Sequence, residues 1–127
     1  MRLAKTVFLV AGIYGIAVLF PQYFLEAKNA VEFPPPITHP EYFYGFTGVA
    51  LAFQFVFLVI SRDPVRYRPM MIPSVIEKFS FAGSAIVLFS LGRIHTAVLA
   101  FGMIDLVLGL LFAASYFLTS SERYAEG

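Results

Sequence analysis

The chain has no cysteine, no tryptophan, only two histidines, and few charges for its length. Without cysteine there is no disulfide, no thiolate-held iron–sulfur cluster, no cysteine-based zinc site and no CxxC redox pair. The same absence leaves the redox state of the compartment unread. Without tryptophan, any interfacial aromatic belt must come from Tyr and Phe, and seven Tyr and 15 Phe are ample for it. His39 and His95 both fall at membrane edges, on the same predicted non-cytoplasmic side, a poor supply for a paired-histidine haem or a zinc site. There is no glycine-rich phosphate loop, and no Ser/His/Asp spacing that suggests nucleophilic catalysis. The residues therefore predict no metal and no cofactor. A formal net charge of +1 gives no reason to expect nucleic acid as a partner.

What is abundant is apolar sequence. Of 127 residues, 59% are hydrophobic and 13% charged, with a mean hydropathy of +0.79. Soluble domains carry roughly 25% charged residues, so this chain cannot clothe a soluble surface. Four apolar runs, over 3–24, 42–60, 72–91 and 96–119, each approach the roughly 20 residues that cross a bilayer as a helix. The fold expected is an all-α integral membrane four-helix bundle, a single domain over 1–127. The bilayer is its first partner.

Punctuation between the runs is clear. Arg2 and Lys5 precede the first apolar centre as in a signal peptide, but Pro21-Gln22-Tyr23 follows without an A-x-A site, so the segment reads as a retained span. Pro21 is predicted to kink or end that helix, because it removes a backbone donor. Residues 28–40 are polar, and Pro34-Pro35-Pro36 favours polyproline II, predicting a stiff extended loop. Residues 61–71 form a basic turn in which Asp63-Pro64 reads as the cap and first residue of a short interfacial helix. Gly92-Arg93-Ile94-His95 is a tight connection, and the tail from Ser120 is polar and expected to fray. In a four-span arrangement Arg2, Lys5, Arg62, Arg66, Arg68, Lys78 and Arg123 share one side, against Lys28 and Arg93 on the other. The positive-inside rule then predicts cytoplasmic termini. Fusing the last two spans would bury Arg93 in lipid.

Asp105 is the most informative residue, a carboxylate deep in an otherwise uncharged run. Such a group costs about 2.5–3.5 kcal/mol on insertion scales and belongs inside a bundle. Gly102, Asp105, Gly109, Ala113 and Tyr116 recur at helical spacing, which places Asp105 on a close-packing face. On the third span Glu77, Ser80, Ser84 and Leu88 share a face. The second offers Thr47, Leu51, Gln54 and Leu58, and the first Ala11 and Gly15, with Tyr14 adjacent. Glu77 is expected about 8 Å in from the start of its span and level with Gln54. Asp105, Glu77, Gln54 and Tyr14 are thus candidates for a ligand or proton site in a polar cavity open toward the cytoplasm, with Arg66 and Arg68 as partners for Glu77. The competing reading sets Glu77 at the headgroup level beside a snorkelling Lys78, and makes Asp105 only an interhelical hydrogen-bond donor. Arg62, Arg66 and Arg68 are candidates for anionic-lipid contact, though topology alone accounts for them. His39, His95 and Glu41 are placed to approach one another at the opposite surface.

The sequence Gly45-Phe46-Thr47-Gly48-Val49-Ala50-Leu51-Ala52, the Arg62-Asp63-Pro64 turn and Ile104-Asp105-Leu106-Val107-Leu108-Gly109 together resemble the DoxX-like families of small four-helix bacterial membrane proteins. The resemblance runs over about residues 44–119. It implies a multi-pass protein of the bacterial cytoplasmic membrane. Some relatives of that kind accompany quinone-linked oxidoreductases, which would imply an accessory subunit. His39-Pro40-Glu41 and Glu77-Lys78-Phe79 fall outside the pattern.

The expected function is non-catalytic: an accessory or assembly subunit, or a binder of a small apolar molecule in the polar pocket. Other membrane subunits or a homo-oligomer are its expected protein partners. A proton-coupled carrier using Asp105 and Glu77 is the alternative, and an enzyme acting on a lipid or quinone a further one.

Overall fold

The computed structural model describes the backbone of residues 2–126 and the side chains of residues 2–120. Among these the fold is all-α, with five α-helices: α1 Arg2–Leu19, α2 Glu26–Glu32, α3 Pro40–Arg62, α4 Met71–Ser90 and α5 Thr96–Glu126. The four long ones form a bundle, and each is long and apolar enough to cross a membrane. Ile13, Val49, Ile76, Val87, Leu110 and Phe117 stand exposed on its outer surface, one or more from each long helix. In water such a continuous apolar surface would aggregate, whereas in hydrocarbon it is the natural exterior. The chain is a small multi-pass membrane protein.

Local chemistry explains where each helix stops. At Pro21 the α-helical ladder of α1 gives way to a 3-10 segment over Phe20–Phe24. α4 ends in a Schellman arrangement, with Gly92 N–H donating to the Phe89 carbonyl at 2.9 Å and Arg93 N–H to Leu88 at 2.8 Å. That closure needs a left-handed residue, and Gly92 has φ +70°. His95 Nδ1 then accepts from Ala97 N–H at 3.0 Å and caps α5.

Three elements differ from the sequence expectation. Residues 28–32 belong to α2, so the loop is shorter than expected and runs from 33 to 39; its Pro34–Pro35 bond is cis. Asp63 Oδ1 accepts from Arg66 N–H at 3.2 Å, so it caps as expected. What it caps is a single turn, which passes into a 3-10 segment at Arg68–Met70 rather than an α-helix. α5 continues as helix to Glu126 instead of fraying after residue 119, while the Arg123 side chain lies outside the described residues.

α1 packs along α3 and α4 along α5, and α1 with α5 joins the two pairs; α3 and α4 touch sparsely. The bundle is therefore closed on three sides and loose on the fourth. Its basic end, with the N-terminus and the 63–67 turn, is solidly filled. There Phe8 stacks on Phe112 with centroids 4.1 Å apart, and Phe57 meets Phe112 edge-on at 4.9 Å. Ala4, Ala11, Ile60 and Met71 complete that core. Its buried hydroxyls are satisfied by carbonyls four residues back along the chain: Ser74 donates to Met70, Ser115 to Leu111 and Thr119 to Ser115.

Small residues set the close α4–α5 approach. A Cβ on Gly102 would lie 2.6 Å from the Ala85 Cβ, and one on Gly109 would lie 2.7 Å from the Phe79 ring. Gly83, by contrast, faces open space. Gly102→Val is expected to pry the two helices apart at a cost of about 1–3 kcal/mol. Gly83→Val should be close to neutral. Unfolding midpoints in a denaturing detergent titration measure the difference.

Candidate functional site

The rotation of α4 decides the site. Its buried positions are Met71, Ser74, Lys78, Ala82 and Ala85, one stripe at helical spacing. Lys78 lies in the centre of that stripe and is 3% exposed. Its Nζ donates to Asp105 Oδ1 on α5 at 3.1 Å and lies 3.8 Å from Glu77 Oε2. The ammonium also lies 5.2 Å from the centre of the Phe57 ring. Two carboxylates thus share one buried cation. Gly109 makes this geometry possible, since a Cβ there would press on the Lys78 stem at 3.2 Å.

Gln54 on α3, 1% exposed, closes the polar layer from the other side. Its Nε2 donates to the Ala50 carbonyl at 2.8 Å. Gly15 on α1 has no side chain because the Gln54 amide fills the space a Cβ would take. Two buried acceptors have no hydrogen-bond donor among the described residues: Gln54 Oε1 and Glu77 Oε2.

Above this layer, toward the proline end, the helices border a partly open cavity of about 410 Å³. Tyr14, Gln54, Glu77, Lys78 and Asp105 line its polar end, and Phe43, Phe46, Phe81 and Phe101 its apolar walls. Gln22, Asn29, Phe33 and Ile37, from the α1–α3 connection, reach over the top. Asn29 Nδ2 donates to Gln22 Oε1 at 2.9 Å and ties that cover together. On the loose side, the Phe46 and Phe81 rings stack at 6.2 Å across the gap between α3 and α4.

All four residues singled out as a ligand or proton site, Tyr14, Gln54, Glu77 and Asp105, border this one cavity. Several surrounding expectations are overturned. The cavity lies on the proline side of the polar layer and not on the basic side, because the aromatic core of Phe8, Phe57 and Phe112 fills the basic end. Glu77 lies six residues, about 9 Å, in from the start of α4 at Met71, close to the expected depth. Its cation is its own neighbour Lys78. Arg68 Nε instead donates to the Tyr116 carbonyl at 2.8 Å, with its guanidinium 3.7 Å over the Tyr116 ring, and Arg66 lies over Tyr67. Lys78 neither snorkels nor counts as a surface charge. Ser80 and Ser84 are exposed, since the face containing Lys78, Ala82 and Ala85 turns inward.

At the proline end His39 Nδ1 is 3.2 Å from Glu41 Oε1, while His95 packs edge-on against Phe33. Among the described residues, no three His, Asp or Glu side chains are grouped to hold a metal. Arg62 and Arg66 are exposed, and Arg68 is half-buried.

Lys78, Gly15 and the cover residues Gln22, Asn29, Phe33 and Ile37 are the parts of the site that sequence reasoning missed. One signal was available for Lys78: Ser74, Lys78, Ala82 and Ala85 form a small-residue stripe that matches the glycines of α5. No family model matches the chain, and neither a known protein nor a solved structure gives a significant match.

A buried ion pair broken on one side leaves an uncompensated charge, at a cost of about 3–5 kcal/mol, whereas replacing both partners by apolar groups is close to neutral. Lys78→Met and Asp105→Leu are each expected to destabilise the bundle by that order. The double variant should recover most of the loss. A double-mutant cycle of detergent unfolding free energies reads the coupling.

Proposed function

We propose that this protein is a non-catalytic binder of a small amphipathic molecule drawn from the bilayer. The observation that carries the reading is the cavity itself: apolar aromatic walls ending in a buried polar layer around the Glu77 carboxylate, which Lys78 approaches only to 3.8 Å without a hydrogen bond. Small-molecule sites combine an apolar body of about 300–1,000 Å³ with a few placed polar groups. A volume of about 410 Å³ falls within that range. A buried carboxylate short of hydrogen-bond donors costs free energy that a ligand's donor offsets. A ligand of this kind carries a donor on one end of an apolar body.

The loose α3–α4 seam supports lateral access from lipid, past the stacked Phe46 and Phe81. Cytoplasmic termini follow from the remaining charge bias: with Lys78 internal, Arg2, Lys5, Arg62, Arg66 and Arg68 still outweigh Lys28 and Arg93. In that orientation Arg62 and Arg66 face anionic headgroups at the inner leaflet. The accessory-subunit reading implied by the DoxX-like resemblance is compatible with a bound ligand.

The missing tryptophan provides a clean reporter. Phe81→Trp places a single indole at the cavity wall, and Phe117→Trp places one on the exposed surface of α5 (71% exposed). Titration with a bromoalkanol in nonionic micelles should quench the Phe81→Trp indole saturably. The Phe117→Trp indole should follow only linear partitioning into the micelle. Equal, linear quenching at both positions would remove the pocket reading.

A further inference from the structure

The charges around the cavity do not cancel. Glu77 and Asp105 are carboxylates and Lys78 is the single ammonium; Tyr14 is the other titratable group on the cavity wall. α3 contributes Thr47 and Gln54 to that wall, neither of which titrates. With all three charges present, the polar layer carries one surplus negative charge. The geometry says which group holds it. Lys78 is hydrogen-bonded to Asp105 at 3.1 Å and stands off from Glu77 at 3.8 Å. Asp105 is therefore the satisfied partner and Glu77 the underpaired one. Glu77 also keeps more exposure, 20% of its side chain against 14% for Asp105.

A carboxylate surplus beneath aromatic walls selects the sign of a ligand. An anion would be repelled. A neutral hydroxyl would satisfy an acceptor but leave the charge uncompensated. A monocation would neutralise the layer, donate N–H groups to the Glu77 carboxylate, whose side chain is 20% exposed, and lie against Phe33, Phe43, Phe46 and Phe81, whose ring faces attract cations. Resting on the pocket reading above, we propose that the cavity takes a lipophilic organic ammonium ion, with Glu77 as its counter-charge and the Lys78–Asp105 pair as the fixed floor. A second consequence follows. A proton on Glu77 removes the same surplus. Proton and ammonium compete for one carboxylate, so binding of the organic cation displaces a proton wherever Glu77 is protonated beforehand. The affinity for the cation accordingly falls on acidification.

Three probes with one apolar body test this: phenylbutylammonium, phenylbutanol and phenylbutyrate, titrated calorimetrically into the full chain in nonionic micelles. The ammonium should bind at least about ten-fold tighter than the alcohol, the scale of one charge-assisted hydrogen bond, and the carboxylate weakest. Acidification should weaken the ammonium and leave the alcohol unchanged. Glu77→Gln should reduce the ammonium to the level of the alcohol, and Glu77→Asp should retain the preference. If Glu77→Gln does not fold, the ranking of the probes on the unaltered chain decides. Equal or tighter binding of the alcohol, or an ammonium preference that survives Glu77→Gln, overturns the cation assignment and leaves the pocket reading intact. Failure of all three probes to saturate removes the pocket reading and this inference together.

Discussion

An ammonium group surrounded by hydrocarbon must find an anion, and Lys78 finds Asp105 at 3.1 Å. The rest of the bundle follows from that contact. It fixes the rotation of α4 about its axis, which turns Ala82 and Ala85 toward α5 and Ser80 and Ser84 away. It requires close approach of the two helices, which Gly102 and Gly109 permit by lacking a side chain. It leaves Glu77, one residue along and about 100° around the helix, as a second carboxylate sharing the same cation. In a membrane, where apolar surface gains nothing by meeting apolar surface, such polar and small-residue contacts are what select one packing from many.

The bundle divides at this charged layer. Toward the basic end, Phe8, Phe57 and Phe112 interlock and Met71 fills the remaining space. Toward the proline end, the α1–α3 connection spreads over the helix ends and the aromatic side chains line a space without filling it. The sparse α3–α4 contact is the other half of the same fact. α3 is held by α1, and α4 is held by α5 through the ion pair, so α3 and α4 meet sparsely, as where Lys78 lies by Phe57 and Phe46 stacks on Phe81. A hollow beside a polar floor results, bounded on its loose side by the Phe46 and Phe81 rings. A polar floor beside a sparsely packed wall is the arrangement on which the proposed binding rests.

Much of the fold was legible in the residues. Four apolar runs separated by Pro21, the prolines of 34–36, the 61–68 basic turn and Gly92 can form little other than four helices, and the glycine spacing of α5 placed Asp105 on a packing face. The partner of Asp105 was not legible, for a physical reason. Glu77 and Lys78 are adjacent, their side chains diverge around the helix, and each has a small-residue stripe beside it: Ser80 and Ser84 for one, Ser74, Ala82 and Ala85 for the other. Headgroup chemistry also tolerates a lysine near a helix start, so reading Lys78 as snorkelling was locally consistent. Only the position of α5 across the interface distinguishes the two stripes. Gly15 was visible as a packing residue but not as the seat of the Gln54 amide, which is a contact between helices remote in sequence. The cover over the cavity depended on α2, a seven-residue helix within an otherwise proline-rich connection, with no apolar run to announce it.

The central claim is that Lys78 is an internal residue bound to Asp105 and not an interfacial one. Magnetisation transfer between the Lys78 ¹⁵Nζ and the Asp105 ¹³Cγ, in labelled protein reconstituted into bilayers, tests it most directly. The account predicts a strong direct dipolar contact, as expected for the 3.1 Å nitrogen–oxygen separation, with the lysine amine protected from an aqueous amine reagent. An Nζ without coupling to Asp105 that reacts freely at the membrane surface would contradict it.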